Sequence, residues 1–394
     1  MIFKEIIKIV VGNTIVPFTA RIAKYKKIRI SLVRADRLGH LSLNTHLFFI
    51  RSKINTLENF NYLLISPSLK SKKIANASLL SMFITHSKSI NNINFICSSI
   101  LYFFFTYFQT EFKKYKLIYN LNMNSNESEF SLGVKTISFS KNQKKYGEAT
   151  LGEMPFPKNK KIVTIFARDS SYLDMRFPNN DWSYHSYRNC DIETYIDAIK
   201  YLIKRNYTVL RIGSEFSKKL DFEDQNYFDY SLSKYKSAFM DLFLVYKSEF
   251  MLGSTSGATD VAAVFNTPFV GVNYAPFMEA PLGRDDIFIQ KKLINLQGET
   301  IPYKDIISDS RYYSFDGNKM NQLYDIKYVD NSAEEVLDVV EEMDDLLNGN
   351  LIFSDKQKKL LERYQNEYCL RNKWSKRFAP ISIRWLEKNY YLYY

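Results

Sequence analysis

The chain has 394 residues, of which 46% are hydrophobic, and its formal net charge is +12. This length suits two domains, and the hydrophobic fraction supports a packed core, which argues against a disordered chain. The positive charge favours an anionic partner, such as a nucleotide diphosphate or lipid headgroups. Nucleic acid is not expected as a partner, because the sequence contains no RNP, helix-turn-helix or zinc-finger signature.

The cysteines and histidines do not indicate a disulfide framework or a metal site. Cys97, Cys190 and Cys369 are far apart and form no C-x-x-C pair, which fits a reducing cytoplasm. His40 and His46 are six residues apart, which is not the i, i+4 spacing of a helical zinc site. We therefore expect a cytoplasmic protein without a disulfide framework or a histidine-rich metal site.

The amino-terminal segment, residues 1–18, is apolar but carries Lys4, Glu5 and Lys8. It has no apolar stretch followed by a small-residue cleavage site, so a signal peptide is not expected. It is also too short and too charged for a transmembrane helix. The basic residues 21–29 follow. A helix packed on the protein's own surface is favoured, and an interfacial helix at the inner face of the membrane stays open.

The first half of the chain alternates strand and helix patterns. Residues 28–33 (IRISLV) predict the first core strand, which leads into the loop RADRLGHL at residues 34–41. A helix is predicted over residues 42–52, a second strand over 62–66 and a second helix over 76–86.

A run of apolar and aromatic residues covers residues 95–108 (FICSSILYFFFTYF) and is too short to span a bilayer. A buried helix is favoured, and a surface that docks on a membrane or a lipid-linked acceptor is the alternative. Residues 116–120 suggest a further strand. Residues 121–160 lose periodicity and predict a linker, so the domain boundary is placed near residue 150. The turn-forming residues of this linker are Gly147, Gly152, Pro155 and Pro157.

The second half begins with a strong strand pattern at residues 161–167 (KIVTIFA), which ends at Arg168 and is followed by a polar loop. The elements predicted next are a helix over 192–205 capped by Asp191, a strand over 207–212 and a helix over 237–247.

Residues 250–276 (FMLGSTSGATDVAAVFNTPFVGVNYAP) predict a strand, a tight loop, a helix and a second strand, which together form one parallel crossover unit. A helix that begins at a Gly/Ser loop directs unpaired N–H groups and its positive dipole end at a phosphate or diphosphate. The alternative is that Gly253 and Gly257 only permit a tight turn.

Alternating strands and helices predict an α/β fold with doubly wound parallel sheets. In such sheets, ligands bind at the carboxyl ends of the strands. Four residues fall at such ends: Arg168, Gly213, Ser254 and Asn273. This convergence favours a ligand site over a lone glycine turn. Beyond it, residues 351–394 predict a helical tail that packs back on the N-terminal domain.

Several stretches of the chain resemble a bacterial family of glycosyltransferases encoded with surface-polysaccharide genes. The resemblance covers residues 28–281 and rests on RADRLGHL (34–41), FARDSSYL (166–173), YRNCDIETY (187–195), GSTSG (253–257) and PFVGVN (268–273). It implies a GT-B architecture, in which two Rossmann-like domains face a cleft.

The resemblance further implies that residues 1–150 bind the acceptor and residues 151–350 bind the nucleotide sugar. The reaction would move a sugar from a nucleotide-sugar donor to a glycan or lipid-linked acceptor in the biosynthesis of surface polysaccharide or capsule. It would be inverting, with the nucleotide sugar as a substrate, and would require no metal and no other cofactor. A peripheral membrane contact is left open.

A more distant likeness to heptosyltransferases implies a catalytic base, because their first-strand loop carries a glycine followed by an acid. Here Gly39 is followed by His40. Histidine can act as a general base near neutral pH, although it could instead bind a phosphate or orient the acceptor. Arg168 is the cation best placed to stabilise the departing diphosphate. The alternative for Arg168 is an ion pair with Asp169 or Asp191.

The remaining site residues follow from the same likeness and from the strand ends. The expected donor-binding residues are Arg168, Arg211, Gly213, Ser214, Gly253, Ser254, Ser256, Gly257, Asn273 and Glu279. The expected acceptor-binding residues are Arg37, Gly39, His40, His185 and Arg188. His185 could instead be a solvated loop residue, and Glu279 could lie outside the site.

Two other functions share this architecture. A nucleotide-sugar 2-epimerase would need acids and a histidine around the sugar ring and no acceptor. A non-catalytic nucleotide or glycan sensor would bind without turnover.

Overall fold

The computed structural model describes residues 9–121, 128–277, 279–283, 285–309, 312, 314–369 and 379–394. The charged part of the predicted amino-terminal segment, residues 1–8, lies outside the described residues. The chain forms two compact units. The first contains Met1–Asn124 and Lys135–Phe139, and the second contains Ser125–Val134 and Ser140–Tyr394.

The first unit is built on a three-stranded parallel sheet in the order β1-β2-β3. Ile30 also makes a parallel bridge to Ile118, where the sequence suggested a further strand. The strands are β1 (Ile28–Leu32), β2 (Asn61–Ser66) and β3 (Ile93–Cys97). The helices are α1 (Ile15–Tyr25), a π-helical turn (His40–Asn44) continued by α2 (Thr45–Lys53), α3 (Ala77–Ser87), α4 (Ser99–Tyr107) and α5 (Gln109–Lys114).

Helices cover both faces of this sheet, because alternate strand residues point to opposite sides. On one face, Ile30 and Ile65 pack in one cluster with Val16 and Ala23 of α1 and with three phenylalanines. The three are Phe105, Phe108 and Phe112. On the other face, the Tyr62 ring packs edge-on against Phe48 of α2, with ring centroids 5.3 Å apart. Helix α1 therefore packs on the unit's own core, as favoured from the sequence.

The apolar run at residues 95–108 is not one buried helix. It contains the end of β3 and then α4, because Ser98 caps a new helix by accepting a hydrogen bond from the Leu101 N–H at 3.3 Å. Of the α4 side chains only Phe105 is buried. Within the described residues, no helix combines the length and the apolar character needed to cross a bilayer.

The second unit contains a six-stranded parallel sheet in the order β6-β5-β4-β7-β8-β9. Its strands are β4 (Lys161–Phe166), β5 (Tyr207–Arg211), β6 (Tyr227–Asp229), β7 (Phe250–Gly253), β8 (Phe269–Tyr274) and β9 (Ile287–Gln290). Counted from the first strand of this unit, the order is 3-2-1-4-5-6, that of a doubly wound dinucleotide-binding fold. The predicted α/β fold with two Rossmann-like units is confirmed.

Helices and a small ribbon complete the second unit. A two-stranded antiparallel ribbon pairs β10 (Lys292–Ile294) with β11 (Lys327–Val329). The helices are α6 (Lys141–Glu153), α7 (Ser171–Arg176), α8 (Ile196–Lys204), α9 (Ala238–Lys247), α10 (Asp260–Phe265), α11 (Tyr303–Ser308), α12 (Gly317–Tyr324), α13 (Ala333–Leu347), α14 (Asp355–Tyr364), α15 (Ile383–Lys388) and α16 (Tyr390–Tyr393). Short 3-10 turns cover Ser128–Leu132, Ser183–Arg188, Ile192–Tyr195 and Tyr230–Leu232, and a π turn covers Gln365–Cys369.

Much of the predicted linker is the helix α6. Ser140 and Gln143 form a reciprocal capping box at its start, with hydrogen bonds of 3.3 and 2.8 Å. Gly147 lies inside this helix, and a Cβ atom there would lie 2.5 Å from the Phe243 ring. The linker interpretation is wrong at this point, because the glycine permits close helix packing and does not form a turn.

The described part of the tail, residues 379–394, belongs to the second unit. The buried carboxylate of Glu342 in α13 accepts hydrogen bonds from Ser382 Oγ at 2.6 Å and from the N–H groups of Ile383 and Arg384 at 3.0 and 3.1 Å. Trp385 is fully buried. The expectation that the tail packs on the N-terminal domain is corrected for these residues, since a buried carboxylate of the second unit caps their helix.

Candidate functional site

The candidate site lies at the carboxyl edge of the second sheet, where the strand order changes direction between β4 and β7. In doubly wound sheets a crevice opens at this point and receives the ligand. Arg168 follows β4, and its backbone N–H donates to the Ser254 hydroxyl at 3.0 Å. The Ser254 N–H in turn donates to the Phe166 carbonyl at 3.3 Å. Two residues that the sequence placed at separate strand ends therefore meet.

Gly253 is required by this close approach. A Cβ atom at Gly253 would lie 2.7 Å from Thr259 Cγ2 and 3.1 Å from the Phe166 carbonyl oxygen. The second of these contacts is with backbone, which cannot turn aside as a side chain could. The glycine thus lets the loop after β7 lie directly against the end of β4.

The Arg168 side chain is buried and held by neutral acceptors. Its Nη1 donates to the His185 carbonyl at 3.2 Å and to the Asn189 side-chain oxygen. In the described part of the chain, no carboxylate forms an ion pair with it. Asp169 accepts instead from the Ser171 N–H at 3.1 Å and from its hydroxyl at 2.5 Å.

Asp191 is engaged elsewhere as well, because it accepts from the Glu193 N–H at 3.1 Å and caps a 3-10 turn. The alternative in which Arg168 serves as an ion-pair partner of Asp169 or Asp191 is therefore wrong.

A second guanidinium group, that of Arg188, lies near Arg168. Burial, together with the positive charge of Arg188, lowers the pKa of Arg168 to about 10, so the group remains protonated at neutral pH. The Nε atom of Arg188 is buried and has no hydrogen-bond partner among the described residues. The negative charge of Asp169 acts in the opposite direction, but among the described residues no carboxylate forms an ion pair with either arginine. The two neighbouring cations therefore form a positively charged region that would attract an anion.

A buried clamp fixes the segment that holds Arg168. The Lys291 ammonium, at the end of β9, donates to the Asn189 carbonyl at 2.5 Å and to Asp330 Oδ1 at 2.6 Å. The other oxygen of Asp330 accepts from the Asp191 N–H at 3.0 Å. Asn189, Lys291 and Asp330 were not among the residues predicted from the sequence. Lys291 follows a buried strand, so the rule that ligands gather at strand ends would have found it.

The loop after β7 is partly closed by its own side chains. The Ser256 N–H donates to Thr259 Oγ1 and the Ala258 N–H donates to Ser256 Oγ, both at 3.2 Å. Helix α10 begins only at Asp260. Among the described residues, the N–H groups of Thr255 and Gly257 have no hydrogen-bond acceptor. The Gly257 N–H expected to bind the ligand therefore has no acceptor among the described residues, whereas that of Ser256 is occupied.

Two of the predicted donor-binding residues are engaged with the protein. Arg211, the last residue of β5, forms a buried ion pair with Asp229 at 3.0 Å, so its charge is already neutralised. Asn273, at φ +52°, accepts from the Asn331 N–H, and its own N–H donates to the Asn331 side chain, both at 2.6 Å. Both residues fix strand ends, and their roles as ligands stay predictions.

The other predicted donor residues lie near the same sheet edge. Gly213, at φ +152°, turns the chain after β5 in a conformation that favours glycine. The Ser214 hydroxyl accepts from the Phe216 N–H at 3.2 Å. Glu279 is half-buried beyond β8, and its N–H donates to the Pro276 carbonyl at 2.9 Å.

His185 lies in a 3-10 turn in the second unit. Its ring centroid is 4.0 Å from that of Tyr184, and the ring stacks parallel to Trp182 at 6.2 Å. It is half-buried, so it is not a solvated loop residue. The five predicted acceptor residues thus fall in both units. Arg37, Gly39 and His40 belong to the first, whereas His185 and Arg188 lie beside Arg168.

In the first unit, His40 begins a π-helical turn, and the residues before it, Leu38 and Gly39, are already helical. The helix predicted over residues 42–52 is present, but it begins four residues earlier, at Leu38, so the second half of the predicted loop is helical. The Leu41 N–H donates to the Arg37 carbonyl at 3.0 Å, which closes a helical turn before residue 42. Short π-helical segments often occur at functional sites.

Burial lowers the pKa of His40 to about 4. The positive charge of Arg34 also lowers it, Asp36 acts in the opposite direction, and Arg37 lowers it further. Its Nδ1 atom is buried and has no hydrogen-bond partner in the described part of the chain. His40 is therefore a neutral imidazole at pH 7 with one unsatisfied nitrogen.

In the described ranges, no group of three or more histidine, cysteine, aspartate or glutamate side chains is arranged to hold a metal ion.

No protein-family model and no curated protein matches this chain. The solved structures it resembles include the glycosyl transferase family 9 protein from Veillonella parvula, at 9% identity and a TM-score of 0.44, covering 80% of this chain and 96% of that chain. E. coli ADP-heptose LPS heptosyltransferase II matches at 14% identity and a TM-score of 0.43, covering 82% and 100%. The iron-containing dodecameric glycosyltransferase TibC from enterotoxigenic E. coli matches at 12% identity and a TM-score of 0.41, covering 82% and 77%.

Proposed function

We propose that the chain is a glycosyltransferase whose second unit binds the diphosphate of a nucleotide-sugar donor. The observation that carries the proposal is the pair of guanidinium groups of Arg168 and Arg188 at the switch point of the sheet, with no described carboxylate paired to either. The sequence motifs that resemble surface-polysaccharide glycosyltransferases include both arginines and the Gly/Ser loop, whose Ser254 hydroxyl accepts from the Arg168 N–H.

In the proposed reaction, an acceptor hydroxyl attacks the anomeric carbon as the bond from that carbon to the diphosphate breaks. The bonding electrons leave with the nucleoside diphosphate, so negative charge develops on its terminal phosphate. Arg168 and Arg188, with the N–H groups of Thr255 and Gly257, would stabilise that charge without a metal ion. Asn189 fixes the Arg168 side chain before the substrate arrives, so little reorganisation accompanies the reaction.

The acceptor proton would pass to His40. Its imidazole is neutral at physiological pH, so it can accept a proton, and its low pKa delays the transfer until the hydroxyl becomes acidic as the new bond forms. Direct displacement of this kind inverts the anomeric centre. The acceptor we propose is a glycan or lipid-linked sugar of surface polysaccharide or capsule biosynthesis, in keeping with the motif resemblance.

The test compares the binding of nucleoside diphosphates with that of the matching nucleosides by calorimetry. Arg168→Ala is expected to weaken diphosphate binding by about 10- to 150-fold, the equivalent of a charge-assisted hydrogen bond, and to leave nucleoside binding unchanged. Lys200→Ala is a matched control, since it removes an exposed cation of α8. An equal loss for nucleoside and diphosphate would mean that Arg168 is structural.

Product analysis then separates the three classes of function. A transferase releases nucleoside diphosphate only when an acceptor is present. Interconversion of sugars on the nucleotide without an acceptor would replace this proposal with an epimerase. Binding without either reaction, across donors and acceptors, would indicate a sensor.

A further inference from the structure

We propose that one face of the first unit docks on the surface of an anionic lipid bilayer. The face consists of two apolar stripes that point away from the sheet, and we call it the outer apolar surface. Its residues are Ile15, Phe18, Ile22 and Tyr25 of α1 and Ile100, Phe103 and Tyr107 of α4.

Helix α1 is apolar on two opposite sides. Its inner side, with Val16, Ala20 and Ala23, is buried on the sheet. Its outer stripe recurs every three or four residues, and there Phe18 is 67% and Tyr25 is 83% exposed. A helix that served only to cover its own core would carry polar residues on the outside. The outer stripe of α1 therefore lies outside the packed core formed by the described residues of the unit.

Helix α4 has the same arrangement of buried and exposed apolar residues. Its buried residue, Phe105, packs in the same cluster as Val16 and Ala23 of α1, so both helices lie on one face of the sheet. Ile100 and Phe103 are 82% and 68% exposed. The rings of Phe103 and Tyr107 stack at 6.0 Å, which joins them into one exposed aromatic patch. Contiguous exposed apolar surface of this kind marks an interaction site.

The charges around the outer apolar surface select the partner. Residues 9–30 contain five lysines and arginines and no acidic residue. Among described residues, only Arg29 of these five pairs with a carboxylate, Glu58, at 3.9 Å. The exposed basic residues on the same and neighbouring segments are Arg21 and Lys24 within α1, Lys26 and Lys27 just after it, and Lys113, Lys114 and Lys116 around the end of α5.

Aromatic and aliphatic side chains flanked by lysine and arginine suit the boundary between anionic headgroups and acyl chains. Each basic residue near such a surface strengthens binding by about fivefold, which a neutral protein partner would not provide. An interfacial contact needs no helix that crosses the bilayer. This inference does not depend on the proposed transferase activity.

The test is flotation of the full-length chain with vesicles of phosphatidylcholine, with or without phosphatidylglycerol. Binding is expected with phosphatidylglycerol, and added salt should weaken it because salt screens the lysines. A protein that stays with neither vesicle, or that binds both equally, would overturn the proposal.

Variants locate the contact. Phe18→Ser and Phe103→Ser should each lower the vesicle partition coefficient about tenfold, because each withdraws an aromatic ring from the apolar layer. Lys24→Glu should lower it at least fivefold. The control is Ile352→Ser in the second unit, where the side chain is 87% exposed, and it should leave partition unchanged. All four positions are exposed, so the melting temperatures should match that of the wild type.

A second readout does not depend on loss of binding. The emission of Phe103→Trp should shift to the blue on anionic vesicles, whereas that of Ile352→Trp should not. Light scattering measures the oligomeric state and so tests the alternative that a second copy of the chain covers the outer apolar surface. If Phe103→Ser converts an oligomer into a monomer and vesicles bind neither form, the outer apolar surface is a contact between copies and the membrane proposal fails.

Discussion

Replacing Asp344 should destabilise the second unit more than any exposed charge substitution. This carboxylate in α13 is fully buried. It accepts hydrogen bonds from Tyr201 Oη at 2.9 Å, Arg205 Nε at 2.7 Å, Tyr207 Oη at 2.7 Å and Asn348 Nδ2 at 2.8 Å. It therefore joins α13 to α8 and to the start of β5.

The size of the effect depends on whether each hydrogen-bond donor can find another acceptor after Asp344→Ala. Tyr207 is buried, and its unpaired hydroxyl would cost roughly 1–3 kcal/mol. The Arg205 side chain is 44% exposed and can hydrogen-bond to water, so losing its contact with Asp344 costs less free energy. Together with the cavity, we expect a loss of about 3–5 kcal/mol in the free energy of unfolding. For a domain of this size, that lowers the melting temperature by roughly 10 °C.

Urea and thermal unfolding of the two proteins measure this difference. Asp197→Ala, which breaks an exposed ion pair with Lys200, is the matched control and should change stability by less than about 0.5 kcal/mol. Ordinary surface substitutions change the free energy of unfolding by about 0.5 kcal/mol. If Asp344→Ala changes it by less than about 1 kcal/mol, the hydrogen bonds of this buried carboxylate do not stabilise the unit as argued.

The pH dependence gives an independent check. Burial opposes ionisation of Asp344, but hydrogen bonds from Tyr207, Arg205 and Tyr201 outweigh it and hold the pKa of this carboxyl below its ordinary value. Because the folded pKa is the lower one, the stabilisation is present above the unfolded pKa of about 4 and disappears as the pH falls through the folded value. The difference between wild type and Asp344→Ala should be constant near neutral pH and should shrink only below about pH 4.

Three further predictions concern the candidate site. His40→Ala should keep the fold and lower turnover by about 10²–10⁴-fold. Because the pKa of His40 is about 4, kcat/KM of the wild type should not fall between pH 7 and 5. A decrease of kcat/KM with a midpoint near pH 6.5 would contradict the assignment of His40 as the base. Gly253→Ala should lower stability by roughly 1–3 kcal/mol in chemical unfolding, because its Cβ would meet the Phe166 carbonyl at 3.1 Å. Asn189→Ala should weaken diphosphate binding less than Arg168→Ala does in calorimetry, since it frees the arginine without removing it.

The centre of the second unit could be predicted from the sequence because the patterns that specify it lie within short stretches of the chain. The apolar runs at β4, β7 and β8 and the small residues after β7 specify a crossover unit within one short stretch. Because both residues follow parallel strands, Arg168 and Ser254 were predicted to lie at the same edge of the sheet. In the structure they are hydrogen-bonded there. The sheet rule depends only on strand direction, so it needs no knowledge of distant contacts.

The features that were missed depend on residues far apart in the chain. Lys291 donates to the Asn189 carbonyl and to Asp330, although the three residues are far apart in the sequence. No local sequence pattern predicts these contacts. Arg211 looked like a phosphate ligand because its partner Asp229 lies on a short strand that the sequence did not reveal. Helix α6 was taken for a linker because it lacks a regular apolar repeat and contains two glycines, which are poor helix formers. Its lysine, glutamine and glutamate residues favour a helix, and Gly147 packs against the Phe243 ring.

The capping of α15 by Glu342 has a consequence for biosynthesis. Ile381 pairs with Phe288 of β9, and Trp385 and Tyr393 are buried in the second unit. A ribosome delivers this segment long after it has delivered β9, so the edge of the sheet stays uncovered during the interval. The first unit, whose strands are close together in sequence, can fold while translation continues, whereas the second must wait. Nascent chains that stall within that interval would present an unpaired strand edge and are the species on which chaperones are expected to act.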